Sequence, residues 1–145
     1  MRGTLCIDII RVRDQRVVDR RETRNLVMTA GYDELIRVLG GTAPASHFVS
    51  RMQFGTGGTA PAAGDASLSM PITPIKDIAT VTYPTGGDPF RIIFEAFLLS
   101  AEGNGFLISE AGLYSVASIL VARAVFPSVA KTSDHALHAT WQVND

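Results

Sequence analysis

Apolar residues recur along the chain in short runs, separated by polar or glycine-rich turns. The runs at 4–12, 48–54, 90–98, 106–114, 119–126 and 135–143 have the length and β-branched or aromatic content of strands. In the last of them Leu137, Ala139, Trp141 and Val143 alternate with smaller or polar residues, which is the period of a half-buried strand. The pattern predicts a mainly β fold, an antiparallel β-sandwich or jelly roll.

One segment has the spacing of a helix instead. In "TAGYDELIRVLGG" the residues Tyr32, Leu35, Ile36 and Leu39 make one apolar face, and two glycines follow. Thr29 is the predicted N-cap, because its hydroxyl can accept a hydrogen bond from an early backbone N–H. We therefore expect a single short α-helix at about residues 30–39.

Length and composition fit one domain, 1–145, with its own hydrophobic core. The chain has 145 residues, of which 46% are hydrophobic, and a formal net charge of −1. This charge gives no general attraction to nucleic acid or to an anionic membrane, and no stretch is long enough to span a bilayer. The single cysteine, Cys6, cannot form an internal disulfide and is predicted to be a small core residue.

Charge is nevertheless unevenly distributed. Residues 1–24 hold seven arginines and four carboxylates, a net charge of +3, so the remainder carries −4. This segment is predicted to be an arginine-rich hairpin or arm, since "RDQR" at 13–16 is a polar turn between two strands. Its candidate partner-binding residues are Arg11, Arg13, Arg16, Arg20, Arg21 and Arg24. Arginine suits an acidic partner because its planar fork pairs with carboxylates, although a solvated hairpin gives the same pattern.

The stretch "FGTGGTAPAAGD" matches the spacing of a dinucleotide-binding loop. Gly55, Gly57 and Ala60 fit G-x-G-x-x-G/A, and Asp77 follows at the distance of a ribose contact. Such a loop must lead into a helix, however, and the four prolines and glycines between 61 and 74 leave no room for one. We interpret Gly55 and Gly57 as structural residues of a turn, and a nucleotide-binding enzyme remains the alternative.

Glu110 is the other polar residue that the pattern singles out. It lies between apolar residues in "LISEAGLY", next to Gly112, and a buried carboxylate needs a partner. Lys131 is the predicted partner, which would make a structural ion pair rather than a general acid. His135 and His138 fall on opposite faces of a strand, so no metal site is predicted. We expect no catalytic site and no cofactor.

Several phrases taken in order resemble structural proteins of tailed bacteriophages. They are "NLVMTAGYDELIRVLGG", "VSRMQFGTGGTAPAAGDASL", "EAFLLSAEGNGFLISEAGLYS", "ILVARAVFPSVAKTSD" and "HATWQV". Amino-terminal modules of tail fibres show a similar plan: a helix, a strand ending in a G-x-G turn, an E-x-G-L-[YF] strand and a Pro…Lys loop. The similarity covers roughly residues 25–143.

The resemblance implies a structural protein of the virion, made in the cytoplasm of the host bacterium. A fibre module is followed by a shaft, whereas this sequence stops at Asp145, straight after the "WQV" strand, so the first expectation is a capsid decoration or cement protein that bridges shell subunits. A tail-fibre or baseplate attachment protein is the alternative. Other virion proteins are the implied partners, with a homo-oligomer as the implied assembly. Carbohydrate or receptor binding would rest on the loop aromatics Tyr83 and Phe90.

Overall fold

The computed structural model describes residues 2–84 and 91–144. The strands and helices in chain order are β1 (Arg2–Arg11), β2 (Arg16–Val27), α1 (Thr29–Leu39), a 3-10 turn (Pro44–Ser46), β3 (Val49–Gly55), β4 (Lys76–Asp77), β5 (Thr80–Thr82), β6 (Arg91–Leu98), β7 (Leu107–Ser115), β8 (Leu120–Ala130) and β9 (His135–Asn144). The prediction of a mainly β, antiparallel fold with one α-helix is confirmed.

The nine strands of the described residues form one curled antiparallel sheet. Its order is β4-β3-β7-β8-β2-β1-β9-β6-β5. The two edge strands are neighbours in sequence: Asp77 of β4 pairs with Arg51 of β3, and Thr80 of β5 pairs with Glu95 of β6. One short segment, 76–82, therefore contacts both edges of the sheet, so that neither long edge is left unpaired along its whole length.

The core is set by the alternation of side chains along β1, β9 and β6. Leu5 lies opposite Trp141, which lies opposite Phe94, and all three side chains are buried. The two-residue period sends Cys6 to the other face of β1, where it is half-buried and its Sγ lies 3.9 Å from the Asp8 carboxylate. The prediction that Cys6 is a core residue is therefore wrong.

The second half of the sheet closes over the same core. Side chains of β3, β7 and β8, including Phe54, Leu113 and Phe126, join those of β1 and β9 in one buried apolar cluster. Strand β2 connects the halves, because it pairs with β1 along most of its length and its last residues, Leu26 and Val27, pair with β8.

Strand β8 is longer than the pattern predicts. The predicted run ends at residue 126, but residues 127–130 continue the strand to Ala130. The pairing with β7 shifts register between Ile108 and Glu110, so the proline, which has no N–H to donate, sits beside an irregularity of the ladder.

Helix α1 packs against the sheet through a different face from its apolar stripe. Its buried residues are Gly31 and Glu34, whereas the apolar face of Tyr32, Leu35, Ile36 and Leu39 is exposed. A Cβ on Gly31 would lie 2.3 Å from the Val121 carbonyl oxygen, so the helix approaches the backbone of β8 closely at this point. Met28 occupies the N-cap position without a side-chain hydrogen bond, which corrects the assignment of Thr29. A glycine contact and a carboxylate, rather than the apolar stripe, therefore orient the helix.

Adjacent leucines at the end of β6 test the assigned core. Leu98 is 0% exposed and Leu99 is 53% exposed. We expect Leu98→Ala to lower the free energy of unfolding by about 2–5 kcal/mol, because it leaves a cavity in the core. Leu99→Ala is the matched control and should change it by less than about 1 kcal/mol. Urea unfolding, followed by fluorescence of the single tryptophan, measures both variants. Equal effects would contradict the assigned alternation.

Candidate functional site: a buried carboxylate beneath the glycine loop

Glu110 is the most buried carboxylate of the described residues, with no exposed surface. It lies on β7, on the face opposite to Ala111 and Leu113, which point into the main core. Loop 56–71 covers this second face, so β7 is buried on both sides. The apolar residues around Glu110 in the sequence reflect this double burial.

The Glu110 carboxylate accepts five hydrogen bonds. Three come from backbone N–H groups of the covering loop: Gly57 to Oε1 at 3.2 Å, Ser69 to Oε2 at 3.1 Å and Met70 to Oε1 at 2.8 Å. The other two come from Arg123, whose Nε and Nη2 lie 3.1 and 2.8 Å from Oε2. The carboxylate thus attaches a long irregular loop to the sheet at three backbone positions.

Arg123 is the partner that the sequence interpretation missed. On β8, Arg123 pairs with Gly112, whereas Glu110 pairs with Val125. Because the two positions are offset by two residues, the side chains of Arg123 and Glu110 are diagonal neighbours on the same face of the sheet. Its Nη1 also binds the Asp65 carboxylate at 2.9 Å, and its Nη2 donates to the Thr59 carbonyl at 2.8 Å. A lone arginine in the apolar run "ILVARAVF" was the available signal, because a buried cation requires an anion.

Gly55 and Gly57 lie close to this carboxylate, and Gly112 lies close to Leu68 of the loop. A Cβ on Gly55 would lie 2.6 Å from Glu110 Oε1, and a Cβ on Gly57 would lie 2.7 Å from the same atom and 2.3 Å from Ser69 Cβ. A Cβ on Gly112 would lie 2.8 Å from Leu120 and 3.0 Å from Leu68. Each of the three glycines therefore makes room for the packing of the loop on β7.

The loop does not have the geometry of a dinucleotide site. Strand β3 leads into loop 56–71 and then into the short strands β4 and β5, with no helix in that interval, and Asp77 lies in β4. The amide of Gly57, which the fingerprint would direct at a phosphate, donates to Glu110. The glycine-rich loop binds an anion, but the anion is the side chain of the protein itself.

Lys131 does not pair with Glu110, so that prediction is wrong. Its Nζ donates to the carbonyls of Ser100 and Thr132 at 3.3 and 2.9 Å and to Asn104 Oδ1 at 2.8 Å. The residue lies at the far end of β8, beyond the pairing of Leu107 with Ala130. Burial lowers the pKa of Lys131, although the nearby Glu102 carboxylate acts in the opposite direction. Lys131 holds the turn before β7 in place.

The six candidate arginines of the amino-terminal hairpin separate into two groups. Three are held by partners: Arg11 by Asp14 at 2.6 Å, Arg20 by Asp8 at 2.6 Å, and Arg21 by Asp19 at 2.7 Å. Arg21 also donates to the carbonyls of Pro127 and Ser128 across the β2–β8 junction. Among the described residues, no side-chain partner is found for the guanidinium groups of Arg13, Arg16 and Arg24, which are exposed. The second group is therefore the one without an ion pair in the part of the chain that the structure describes.

An apolar cleft lies between α1 and the ends of β5, β6 and β9. Its volume is about 780 Å³, and its walls include Leu35, Val38, Phe48, Val81 and Tyr83. Glu34 and His47 meet at its polar edge, where Nδ1 of the histidine lies 2.9 Å from the carboxylate. Burial raises the pKa of Glu34, but hydrogen bonds from His47 and Ser115 outweigh it and lower the pKa overall.

Other candidate chemistry is dispersed. His135 lies 3.1 Å from the Thr132 hydroxyl, whereas His138 contacts Glu95 and stacks on Phe97. Within residues 2–84 and 91–144, no group of three or more histidine, cysteine, aspartate or glutamate side chains is arranged to hold a metal ion. Nor does this part of the chain contain a helix with the length and hydrophobicity needed to cross a membrane. Tyr83 borders the apolar cleft, and Phe90 lies outside the described residues.

Comparison of the chain with protein-family models, with curated proteins and with solved structures finds no match in any of the three.

Neutralising Glu110 tests the cluster directly. In Glu110→Gln the side chain of Arg123 stays buried without its counter-charge, and an amide NH₂ faces backbone N–H donors. We expect a loss of about 3–5 kcal/mol in the free energy of unfolding and a large drop in melting temperature. Glu22→Gln, at an exposed position of β2, is the control and should melt with the wild type. An unchanged melting temperature for Glu110→Gln would show that the carboxylate does not hold the loop.

The Glu110–Arg123 pair also predicts that the free energy of unfolding depends on pH. Burial raises the pKa of Glu110, but hydrogen bonds from Met70, Arg123 and Ser69 outweigh it and lower the pKa below its usual value. As the pH falls, Glu110 is therefore protonated in the unfolded chain before it is protonated in the folded chain, beginning at about pH 4.3. The stabilisation is complete above that pH and is lost as the pH falls toward the lower folded pKa.

Urea titrations between pH 3 and 7 measure this dependence. The free energy of unfolding of the wild type should fall more steeply below about pH 4.3 than that of Glu110→Gln, which lacks the titrating group. Parallel curves for the two proteins would contradict the assigned direction of the pKa shift.

Proposed function

We propose that this protein is a structural component of a tailed-bacteriophage particle that holds neighbouring subunits together. One observation carries the proposal: the motifs that resemble tail-fibre modules meet in a single unit of the fold. Gly55 and Gly57 of the G-x-G turn, Asp65 of the following "AAGD", and Glu110 of E-x-G-L-Y all belong to the Arg123 cluster. Residues that contact one another around one ion pair can form a structural framework, and this clustering is the support for the proposal.

The architecture suits a mechanical role. The proposed form of the sheet is a β-sandwich or jelly roll, in which the β1–β9–β6 half faces the β3–β7–β8 half. Support comes from the common core, to which both halves contribute large side chains such as Trp141 and Phe54. The buried ion pair and the contacts of Lys131 with the carbonyls of Ser100 and Thr132 fix the connecting loops to this sheet. A rigid body of this kind can transmit load between neighbours without changing shape.

Capsid decoration is the first candidate role. The exposed guanidinium groups of Arg13, Arg16 and Arg24 lie on the β1–β2 hairpin, and they can pair with carboxylates of an adjacent shell subunit. Many weak contacts repeated over a symmetric shell give a large combined effect. Attachment of a tail fibre or baseplate is the second candidate, favoured by the similarity to fibre modules.

Purified particles of the phage that encodes this chain test the proposal. Mass spectrometry should detect the protein in the particle, and cryo-electron microscopy should place its density. Density spread over the shell supports decoration, and density confined to the tail supports attachment. If the host cells contain the protein in soluble form but the particles they release lack it, the structural role is refuted.

The two groups of arginines give a matched pair of variants. Replacement of Arg13, Arg16 and Arg24 by alanine should reduce occupancy on the particle and leave the melting temperature within about 2 °C of the wild type, because these groups make no intramolecular pair in the described structure. Replacement of Arg21 alone should lower the melting temperature, since it ties β2 to two carbonyls of β8. Full occupancy of the triple variant at moderate salt would exclude the hairpin as the docking edge.

A further inference from the structure

The apolar cleft beside α1 reaches the main core of the protein. Three residues of the buried core cluster line it: Phe94 of β6, Leu113 of β7 and Ala122 of β8. These strands belong to both halves of the sheet, so the cleft opens into the space between the halves and is not a groove on the outer surface. The mouth of a curled sheet is a common place for a small-molecule site.

Helix α1 leaves this opening uncovered because of the way it packs. Gly31, which carries no side chain, lies against the backbone of Val121, and the helix contacts β8 and the 3-10 turn rather than β6 and β9. Leu35 and Val38 therefore form one wall of the cleft, and β6 contributes to another wall through Ile92. The space between these walls is accessible from outside.

The size and lining of the cleft select a small apolar ligand. Its volume of about 780 Å³ lies within the range of roughly 300–1,000 Å³ that holds drug-sized molecules. Most of its lining residues are apolar, so transfer of an apolar molecule from water into the cleft is favourable. Among the described residues, the acidic and basic side chains that line it are Glu34, His47 and Arg91.

The polar edge of the cleft offers a hydrogen-bond acceptor. The Glu34 carboxylate can only accept, so Nδ1 of His47, which lies 2.9 Å from it, carries the proton of that contact. The other ring nitrogen, Nε2, makes no hydrogen bond within the described part of the chain, and in the neutral ring it is an acceptor. The negative charge of Glu34 behind the ring disfavours an anionic group at this edge.

We propose that this cleft is a binding site for a small neutral amphiphile. The apolar body of the ligand packs against the core residues, and a hydrogen-bond donor such as an alcohol hydroxyl bonds to Nε2 of His47. The site adds ligand binding to the proposed structural role. It does not depend on that role, because its test uses the isolated protein.

Fluorescence titration of the full chain with N-phenylnaphthylamine, a neutral apolar probe whose N–H can donate, tests the site. The probe should bind saturably, with a dissociation constant on the order of 10–100 μM. Val38→Trp on α1 and Val81→Trp on β5 should each weaken binding by about tenfold or more, because the larger side chain occupies the space that the probe needs. Val81 is 41% exposed, so the strand can accept the larger residue there.

Ile36→Trp is the matched control for these variants. Ile36 lies on the same helix as Val38 but is not among the residues that line the cleft, so this variant should bind the probe as the wild type does. Circular dichroism and the melting temperature establish that each variant is folded. A probe that does not bind saturably, or that binds the folded Val38→Trp and Val81→Trp variants as tightly as the wild type, would overturn the site.

Displacement of the probe by three ligands with the same alkyl chain tests the polar contact. Decanol should displace it at a concentration about threefold to tenfold lower than decyl methyl ether, which has no donor, because decanol gains one hydrogen bond. In His47→Phe the ring remains but the acceptor is lost, so decanol should lose this advantage while the affinity for the ether stays within about twofold. Decanoate should be the weakest of the three, because its charge lies near Glu34.

Two results would overturn the head-group assignment. Equal displacement by decanol and its methyl ether in the wild type would show that no donor is recognised. Tighter binding of decanoate than of decanol would place the head group at Arg91 instead of His47.

Discussion

The fold depends on the buried ion pair between Glu110 and Arg123. Taking two charges out of water is costly, and a pair of this kind contributes to stability only when its remaining hydrogen-bonding positions are satisfied. Here backbone amides of loop 56–71 satisfy the carboxylate, and Asp65 and Thr59 satisfy the guanidinium. The loop in turn supplies Ala63 O to the start of α1 and continues into the segment that pairs with both edges of the sheet. The loop that this ion pair holds thus contacts the start of α1 and leads into the segment at both edges of the sheet.

This arrangement also explains why a nucleotide-like motif occurs here without the helix of a dinucleotide site. A glycine-rich loop with free amides is a general anion receptor, and the protein fills it with an internal carboxylate. Glycine is required at Gly57 because the carboxylate approaches the backbone, not because a phosphate does. Arg13, Arg16 and Arg24, which have no ion pair among the described residues, and the apolar face of α1 are exposed on the outside.

Local patterns predicted the elements well. Alternation in β9 identified the core side of that strand, and the glycine pair after Leu39 marked the end of the helix. Contacts between distant segments were not predictable in the same way. The choice of Arg123 over Lys131 depends on cross-strand register, and the outward rotation of α1 depends on the close approach of Gly31 to β8. Periodicity describes which residues share a face, but only tertiary contacts decide where that face points.

Hydrogen exchange at the loop amides tests the central claim most directly. Residues 56–71 contain little regular structure, so without the carboxylate their amides would exchange by local fluctuation within seconds to minutes. The account predicts that the N–H groups of Gly57, Ser69 and Met70 exchange as slowly as those of the core strand β9, through global unfolding alone. Exchange of these three amides at the rate of exposed loop positions such as Gly58, while β9 stays protected, would contradict it.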